Sequence, residues 1–205
     1  MTTLLVIAKE PRPGRVKTRL TPPFTPAEAA ALAEASLADT LCAVAATPAT
    51  RRVLVLEGAP GPWLPPGFDV VPQCEGGLDE RLAAAFAGCD GPTLLIGMDT
   101  PQVTPALLSV DLTRCDAVFG PAEDGGFWAL GLAEPDPWLL RGVPMSTPGT
   151  GAVQRGRLVA AGLRVRDLPP LRDVDTAADA EAVAALAPRG RFAVRLAGLT
   201  AVAGR

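Results

Sequence analysis

Positive charge is concentrated just after the first apolar run of the sequence. The segment Lys9–Leu20 places five cations within eleven residues, among proline and glycine residues. In such a segment, backbone amides can surround phosphate oxygens while lysine and arginine neutralise their charge. The spacing of a P-loop is missing. We expect a polyphosphate site, with a solvated basic loop as the alternative. The candidate residues are Lys9, Gly14, Arg15, Lys17, Thr18 and Arg19.

Lysine occurs nowhere else in the chain. The 19 basic residues include two lysines, Lys9 and Lys17, and every other one is an arginine. An ammonium is a compact point charge, whereas a guanidinium is a planar fork. The pattern favours a compact point charge over a planar guanidinium at these two positions.

Carboxylates that follow apolar runs form a second group of candidates. Asp99 comes directly after a run predicted to be a buried strand, and Asp173 and Asp175 follow two prolines. Oxygen ligands of this kind suit Mg²⁺ or Mn²⁺. We expect Asp99 and Asp175 to hold such a metal, although Asp99 could belong to a simple turn. If the segment is extended, we expect only one aspartate of the pair to face the site. Asp173 is then either a second, less favoured metal ligand or a surface or structural carboxylate.

The segment Asp124-Gly125-Gly126 combines a carboxylate with two glycines. Glycine adopts positive φ without a steric penalty, so a ligand could approach this backbone closely. Asp-Gly is also a strong signal for a hairpin turn between two strands. Both interpretations can hold together, because a turn at a strand end can also border a site.

The composition excludes several kinds of chemistry. The 205 residues contain no histidine and no tyrosine, which excludes Ser-His-Asp and Cys-His nucleophiles and histidine-ligated metals. With 19 basic and 22 acidic residues the net charge is −3, so nucleic acid is not an expected partner. The cysteines form no Cys-x-x-Cys pair and are expected to be free thiols.

Short apolar runs alternate with amphipathic stretches, which is typical of an α/β domain with a largely parallel sheet. We expect one domain over residues 1–205. Predicted strands are Leu4–Ala8, Val53–Leu56, Val70–Val71, Thr93–Ile96, Ala117–Phe119, Phe127–Leu132 and Leu163–Leu168. Predicted helices begin at Pro26 and Pro105, cover Ala152–Ala161, and end at Leu186, with capping boxes at Thr25/Glu28 and Thr176/Asp179. A further predicted helix has Leu78, Leu82 and Phe86 on one face and is stopped by Gly88. Ligands of such sheets bind at the carboxyl ends of the strands, where the candidate segments lie.

The N-terminal residues are expected to form a core strand rather than a signal peptide, since no basic lead precedes them. We expect no apolar run close to the roughly 20 residues that span a bilayer. The sequence therefore predicts a cytoplasmic protein without a membrane span. The final segment, with Phe192, Leu196 and Leu199 on one face, is expected to be a capping helix or a contact helix in a homodimer.

Four motifs, taken together and in this order, resemble those of the bacterial GT-A-fold transferases of the nucleotide-diphospho-sugar transferase superfamily. They are the segments Ala8–Leu20, Ile96–Pro101, Gly120–Phe127 and Leu168–Thr176. Within that superfamily the chain is most similar to a group labelled glycosyltransferase-like. More distantly, its Lys-Thr-Arg-Leu element is similar to that of molybdenum-cofactor and 2-phospho-lactate guanylyltransferases. The resemblance extends to about Thr176.

The resemblance implies a GT-A-like α/β/α sandwich with a mixed, mostly parallel sheet that binds a nucleotide. It implies phosphate or nucleotide contacts for Lys17, Arg19, Glu80 and Arg81, and a metal at Asp99 and Asp175. On the acceptor side it implies Asp124, Gly125, Gly126, Ser146 and Thr147. The chain departs from the family at Asp79, where a glycine is common before the Glu-Arg pair, and at Met145, where a tryptophan is common, so a stacking surface is lost.

Three functions are consistent with these residues. The first is metal-dependent nucleotidyl transfer from a nucleoside triphosphate to a phosphate or hydroxyl of a small-molecule acceptor, with Lys17, Asp99 and Asp124 as catalytic residues. The second is glycosyl transfer from a nucleotide-sugar, with Asp124 as the acceptor base. The third is a nucleotide-binding protein with an impaired site, to which the Met145 departure points. The basic segment favours the first, because a triphosphate has more charge to neutralise.

Overall fold

The computed structural model describes residues 1–203, in which seven strands form one sheet. The strands are β1 (Thr3–Lys9), β2 (Arg51–Glu57), β3 (Asp69–Pro72), β4 (Thr93–Ile96), β5 (Ala117–Pro121), β6 (Phe127–Leu132) and β7 (Val165–Asp167). Their order across the sheet is β3-β2-β1-β4-β6-β5-β7, and β6 runs antiparallel to both of its neighbours. The sheet is mixed and mostly parallel, as predicted.

Helices cover both faces of the sheet. They are α1 (Pro26–Ala46), α2 (Leu78–Ala87), α3 (Pro105–Leu108), α4 (Thr150–Ala160), α5 (Ala177–Leu186) and α6 (Arg191–Ala203), with short 3-10 turns at Thr18–Leu20 and Pro137–Leu139. The two predicted capping boxes are present at the starts of α1 and α5. Local side-chain chemistry therefore sets where these two helices begin.

Alternate residues of β1 contribute to different parts of the core. Leu4 and Val6 pack in one cluster with Leu37 and Leu41 of α1. Leu5 packs in a second cluster, which includes Phe86 of α2. The strand is thus buried on both faces, which is why its sequence is a continuous apolar run rather than an alternating one.

A third cluster anchors the basic segment to the C-terminal helices. Leu20 and Phe24 pack with Val183 of α5 and Phe192 of α6, and all four side chains are buried. Val16, earlier in the segment, packs in the first cluster. Buried side chains therefore fix the segment on both sides of its central cations.

Helix α1 is long and apolar enough to cross a membrane by length and composition, which the sequence expectation overlooked. Its most apolar window has a mean hydropathy of 1.4, and 67% of that window is buried inside the fold. The helix packs between the sheet and α6. A helix that is apolar on most sides is expected in such a core position.

Among the differences between the predicted and observed elements, two concern β7 and α2. The predicted strand Leu163–Leu168 is shorter, because Leu163 instead closes the end of α4, where its N–H donates to the Leu158 carbonyl at 3.2 Å. On α2, Leu82 and Phe86 are buried as predicted, but Leu78 is 43% exposed. Leu78 lines a cleft at the edge of the sheet.

Candidate functional site

The candidate site is a cleft of about 700 Å³ at the carboxyl ends of β1 and β4. Its walls come from the segment after β1, the turn after β4 and the Asp173–Asp175 segment. Because β6 is antiparallel, its first residue, Phe127, reaches the same edge of the sheet. The segments singled out in the sequence therefore meet at one edge, where ligands of α/β sheets bind.

Lys17 lies at the centre of the charged cluster. Its backbone is left-handed, with φ 49° and ψ 39°, and its side chain is 7% exposed. The Nζ atom lies 2.8 Å from Asp99 Oδ1 and 3.3 Å from Asp175 Oδ1. Burial alone would lower the pKa of Lys17, but the two carboxylates outweigh burial and raise that pKa above its usual value. Lys17 is therefore a buried ammonium that stays charged between two aspartates.

Arg19 contacts the same cluster from the solvent side. Its Nη1 atom lies 2.8 Å from Asp175 Oδ2, and its side chain is 72% exposed. A smaller cavity of about 250 Å³ opens beside this pair and is lined in part by Lys9, Arg15, Lys17, Thr18 and Arg19. Gly14, with φ 73°, forms a turn outside the lining of both cavities. The basic segment thus supplies a positively charged wall.

Two hydrogen bonds join the turn after β4 to the 172–175 segment. The Val174 N–H donates to the Asp99 carbonyl at 3.0 Å, and Gln102 Nε2 donates to the Arg172 carbonyl at 2.8 Å. Asp173 lies between Arg172 and Val174 in the sequence, and Thr100 lies between Asp99 and Gln102. The two hydrogen bonds therefore hold Asp173 and Thr100 close to each other. The turn and the segment therefore form one wall of the cleft.

Both aspartates of the acidic pair line the cleft, while Val174 between them is buried. The expectation that only one of Asp173 and Asp175 faces the site was therefore wrong. In an extended segment, residues two positions apart lie on the same face, and the residue between them lies on the other. Asp173 is part of the site's charge, not a surface carboxylate.

Asp173 is a carboxyl group that its surroundings keep partly protonated near neutral pH. Burial, followed by the charges of Asp99 and Asp124, raises its pKa from 3.8 to about 7. Its Oδ1 atom is buried and has no hydrogen-bond partner. The hydroxyl of Thr100, a residue that is 1% exposed and lines the same cleft, also has none in the described chain. Buried polar atoms are normally paired, so these two call for an explanation.

The Asp124–Gly126 turn joins β5 to β6 and borders the cleft. Asp124 Oδ1 accepts from the Gly126 N–H at 2.8 Å, as in a hairpin turn, and Asp124 also lines the cleft. Gly125 has φ 91°, and a Cβ there would overlap the Pro148 carbonyl. The Gly125 carbonyl accepts from the Gly151 N–H at 2.8 Å. The turn is therefore packed tightly against the start of α4, and Gly125 is needed for that contact.

The residues before α4 complete this wall. Met145, Ser146 and Thr147 line the cleft, and Ser146 has a left-handed backbone with φ 58°. Thr147 Oγ1 lies 3.2 Å from Thr150 Oγ1, which itself donates to the Pro144 carbonyl at 2.8 Å. The threonine hydroxyls hold the segment in place, and Ser146 and Thr147 are both exposed residues.

The opposite end of the cleft lies near β2, β3 and α2. Arg81 Nη1 lies 2.6 Å from Glu57 Oε2 and donates to Gln73 Oε1 at 3.3 Å. Lys9 Nζ lies 3.5 Å from the same Glu57 oxygen. Gln73 Nε2 donates to backbone carbonyls of β1 and β2, which fixes its side chain. This end therefore presents two cations that share one carboxylate.

Glu80 and Arg81, which are adjacent in sequence, have different surroundings. Arg81 lines the cleft. Glu80 Oε2 accepts from the Gly77 N–H at 2.8 Å and so caps the start of α2, and Glu80 is not among the residues that line the cleft. Sequence reasoning gave no role to Gln73, two residues after a predicted strand, and placed Thr100 in the candidate segment after β4 without a role of its own.

Asp99 and Asp175 fit a divalent cation that is bound together with a phosphate. They already share one cation, the Lys17 ammonium. Among residues 1–203, no group of three or more His, Cys, Asp or Glu side chains is arranged to hold a metal by itself. Mg²⁺ is commonly bound by one or two carboxylates, with substrate phosphates and water as its other ligands. The donors present match that arrangement.

Comparison with solved structures confirms the GT-A-like sandwich and the resemblance to the nucleotide-diphospho-sugar transferase superfamily. A protein from Desulfovibrio desulfuricans G20, provisionally named a nucleotide-diphospho-sugar transferase, has a TM-score of 0.87 and 26% identity, covering 98% of this chain and 96% of its own. The 2-C-methyl-D-erythritol 4-phosphate cytidylyltransferase of Thermus thermophilus has a TM-score of 0.54 and 18% identity, covering 92% and 100%. The inositol-1-phosphate CTP transferase of T. maritima has a TM-score of 0.56 and 12% identity, covering 91% and 95%.

No curated protein matched the chain by sequence. One family profile matches residues 29–147, which is more than half of the chain. The matched region includes Asp99 and Asp124, whereas Lys17 and Asp175 lie outside it. The chain belongs to the family described as "uncharacterized protein conserved in bacteria (DUF2064)".

Proposed function

We propose that this chain is a metal-dependent nucleotidyltransferase, which transfers a nucleotidyl group from a nucleoside triphosphate to a small-molecule acceptor and releases pyrophosphate. The observation that supports this most is the Lys17 ammonium, 2.8 Å from Asp99 and 3.3 Å from Asp175. A cation suited to phosphate and carboxylates suited to a metal lie at one point of the sheet edge. The fold is also shared with a cytidylyltransferase and a CTP transferase.

In this proposal Lys17 and Arg19 bind the triphosphate, and Lys9 and Arg15 add positive charge from the adjoining cavity. Phosphoryl transfer depends on positioning and charge neutralisation more than on covalent help from the protein. That requirement suits a chain with a dense basic segment and no histidine.

Asp99 and Asp175 are the proposed ligands of Mg²⁺ or Mn²⁺, which when bound neutralises phosphate charge and orients the reacting oxygens. In the absence of nucleotide the Lys17 ammonium neutralises these two carboxylates. When a phosphate pairs with the Lys17 ammonium, the carboxylates of Asp99 and Asp175 become available to a metal ion. Metal and nucleotide are therefore expected to bind together rather than independently.

The transfer itself is a displacement at phosphorus. An acceptor oxygen forms a bond to the α-phosphorus while the bond from that phosphorus to the bridging oxygen breaks. The electron pair of the broken bond leaves with pyrophosphate, and the acceptor proton passes to solvent or to a neighbouring carboxylate. Asp124, at the edge of the cleft, is the candidate to face the acceptor.

A second candidate is glycosyl transfer from a nucleotide-diphospho-sugar. The likeness to the Desulfovibrio protein, at 26% identity over nearly the whole chain, favours it. The same cations and metal would then stabilise a departing nucleoside diphosphate, and Asp124 would act as the acceptor base. The two reactions differ in the product released.

The experiment that tests the proposal is a thermal-shift screen of nucleoside triphosphates and nucleotide-sugars, each with and without Mg²⁺, followed by product analysis. We expect stabilisation by a triphosphate with Mg²⁺, and release of pyrophosphate when an acceptor is added. Release of nucleoside diphosphate from a nucleotide-sugar would support the second candidate. Tight binding without turnover across an acceptor panel would indicate a binding protein, and no stabilisation by any nucleotide would refute all three.

A further inference from the structure

One half of the cleft contains negative charge and no positive charge. We define the acidic half as the wall formed by residues 124–128 and 145–150 together with Thr100 and Asp173. Among the cleft-lining residues of this half in the described chain, Asp124 and Asp173 are acidic and none is a lysine or an arginine. The lining cations Lys9, Arg19 and Arg81 come from the segment after β1 and from α2.

The nearest arginine in sequence does not offset this charge. Arg172 precedes Asp173, but its guanidinium lies 2.7 Å from Glu123 Oε2 and it is not among the residues that line the cleft. A phosphate ester bound in the acidic half would place its charge beside Asp124 and Asp173, while the Lys17 ammonium, whose charge reaches Asp173, is already paired with Asp99 and Asp175. Such a ligand is disfavoured both by repulsion and by loss of its hydration.

Two of the backbone amides at the start of α4 are not available to an anion. Backbone N–H groups at a helix start can bind phosphate when they are free. Here the Gly151 N–H donates to the Gly125 carbonyl at 2.8 Å, and the Thr150 N–H donates to the Thr147 carbonyl at 3.1 Å. These donors are already used within the wall, so the acidic half has neither side-chain cations nor these two amides for an anion.

The acidic half does contain two buried groups that lack partners. The Thr100 hydroxyl belongs to a residue that is 1% exposed, and neither its Oγ1 atom nor the buried Asp173 Oδ1 atom has a hydrogen-bond partner. Both residues line the cleft. The hydrogen bonds from Val174 to Asp99 and from Gln102 to Arg172 hold their two segments together. A ligand hydroxyl, which both donates and accepts, suits the unpaired groups of both residues once binding exposes them to the cleft.

We propose that the acceptor is an uncharged molecule that carries a hydroxyl, not a phosphate ester, and that Thr100 and Asp173 bind that hydroxyl. This inference rests on the proposed function, because it names the acceptor of that same site. A hydroxyl can both donate and accept, so it can pair with Thr100 and with either protonation state of Asp173, whereas a dianionic phosphate can only accept and is repelled by the ionised carboxylate. The acidic half thus selects the acceptor by the absence of cations as much as by its hydrogen bonds.

The test compares matched pairs of acceptors that differ only by a phosphate. The probes are glycerol and glycerol 3-phosphate, glucose and glucose 1-phosphate, and erythritol and erythritol 4-phosphate. Each is added to the wild-type protein with the triphosphate and Mg²⁺ that gave the largest thermal stabilisation, and pyrophosphate release is measured. We expect kcat/KM for the best neutral acceptor to exceed kcat/KM for its phosphorylated counterpart by about tenfold or more. A ratio of that size is expected when binding leaves one charge without a partner.

Two substitutions test the residues themselves. Thr100→Val keeps the shape of a buried side chain, and Asp173→Asn keeps the shape of the carboxyl group. Thr100→Val is expected to raise the KM of the neutral acceptor about tenfold, the usual effect of losing one hydrogen bond to a buried partner, and Asp173→Asn about threefold, because it exchanges a carboxylate acceptor for a weaker amide acceptor. Thr113→Val is the matched control, because its hydroxyl donates to Asp111 away from the cleft. Melting temperatures of all three variants establish that they are folded.

The outcomes separate this inference from the proposed function. Failure of every triphosphate to bind refutes the proposed function and the acceptor assignment with it. If a triphosphate binds, a phosphorylated probe that reacts as well as its neutral partner refutes the acceptor assignment alone. The same holds if no neutral probe reacts, or if both Thr100→Val and Asp173→Asn leave the KM of the neutral acceptor at the value of Thr113→Val.

Discussion

The two halves of the cleft differ in how their charged groups are paired. In the cationic half, which we define as the cleft-lining cations Lys9, Arg19 and Arg81 together with Lys17 of the adjoining cavity, every cation already has a carboxylate partner. These pairs are Lys9–Glu57, Arg81–Glu57, Lys17–Asp99, Lys17–Asp175 and Arg19–Asp175. In the acidic half, Asp173 and Thr100 each have a buried oxygen without a partner.

This difference indicates two kinds of ligand. A cation that is paired with a carboxylate can exchange that partner for a phosphate, and the carboxylate can then pair with a metal. A buried oxygen without a partner needs a donor, which a polar uncharged ligand provides. The cations of the cationic half can therefore exchange carboxylate partners for phosphate, whereas the acidic half can form new hydrogen bonds with a ligand. The substitutions below test that contrast.

The largest effect is expected for Asp173→Asn, on stability at alkaline pH. The folded-state pKa of about 7 lies above the ordinary 3.8, so the native state holds a proton that the unfolded chain has lost. Wild-type stability therefore falls as the pH rises from about 4 to above 7, by up to about 4 kcal/mol. The variant lacks this dependence and should be more stable than wild type at pH 8. Melting temperatures of metal-free wild type and variant at pH 4.5 and pH 8 measure this pH dependence. A difference between the two proteins that is equal at both pH values would contradict the raised pKa of Asp173.

Lys17→Asn tests the centre of the cationic half. Asparagine tolerates a left-handed backbone, so the turn at residue 17 should be kept. Loss of the buried ammonium is expected to weaken triphosphate binding by about 3 kcal/mol, or roughly 100-fold. Calorimetric titration with Mg²⁺ present measures this. Arg155→Gln, which removes an arginine paired with Asp167 outside the cleft, is the control and should bind as wild type does.

Asp99→Asn tests whether the carboxylates beside Lys17 bind the metal. We expect the tightening of triphosphate binding by Mg²⁺ to fall about tenfold or more, since one charged ligand is lost. Titrations with and without Mg²⁺ give this ratio directly. Asp69→Asn removes a carboxylate that pairs with Arg51 outside the cleft and serves as the control. An unchanged metal effect in Asp99→Asn would make Asp99 a structural residue.

The smallest effect is expected for Arg19→Gln. The Arg19 side chain, which pairs with Asp175, is 72% exposed, and exposed ion pairs contribute about 1 kcal/mol or less to stability. Triphosphate binding should weaken only about threefold, and the difference should shrink at high salt. A loss as large as that of Lys17→Asn would mean that Lys17 is not the dominant cation of this half.

Much of the fold could be predicted from the sequence because its signals are local. The capping boxes at Thr25 and Thr176 depend on residues three apart, and β4 is a short apolar run whose bounds match the prediction. The convergence of Lys17 with Asp99 also followed from a general rule, since both come after strands whose carboxyl ends share one edge. These features need no knowledge of how loops pack.

The remaining features depend on contacts between segments far apart in the sequence. The burial of Asp173 comes from its surroundings, and no pattern around residue 173 encodes them. The missing hydrogen-bond partner of Thr100 could not be predicted either, because it depends on which groups the folded chain places around the hydroxyl. Glu80, adjacent to a residue that lines the cleft, caps its own helix instead. Such outcomes depend on side-chain geometry that only the folded chain determines.

The most direct measurement is anomalous diffraction at the manganese edge from crystals grown with Mn²⁺ and the triphosphate of highest affinity. We predict one manganese ion about 2.1 Å from carboxylate oxygens of Asp99 and Asp175, with triphosphate oxygens completing its ligands and Lys17 Nζ moved onto a phosphate. An ordered triphosphate whose phosphates and manganese lie away from Lys17, Asp99 and Asp175 would contradict the proposed site.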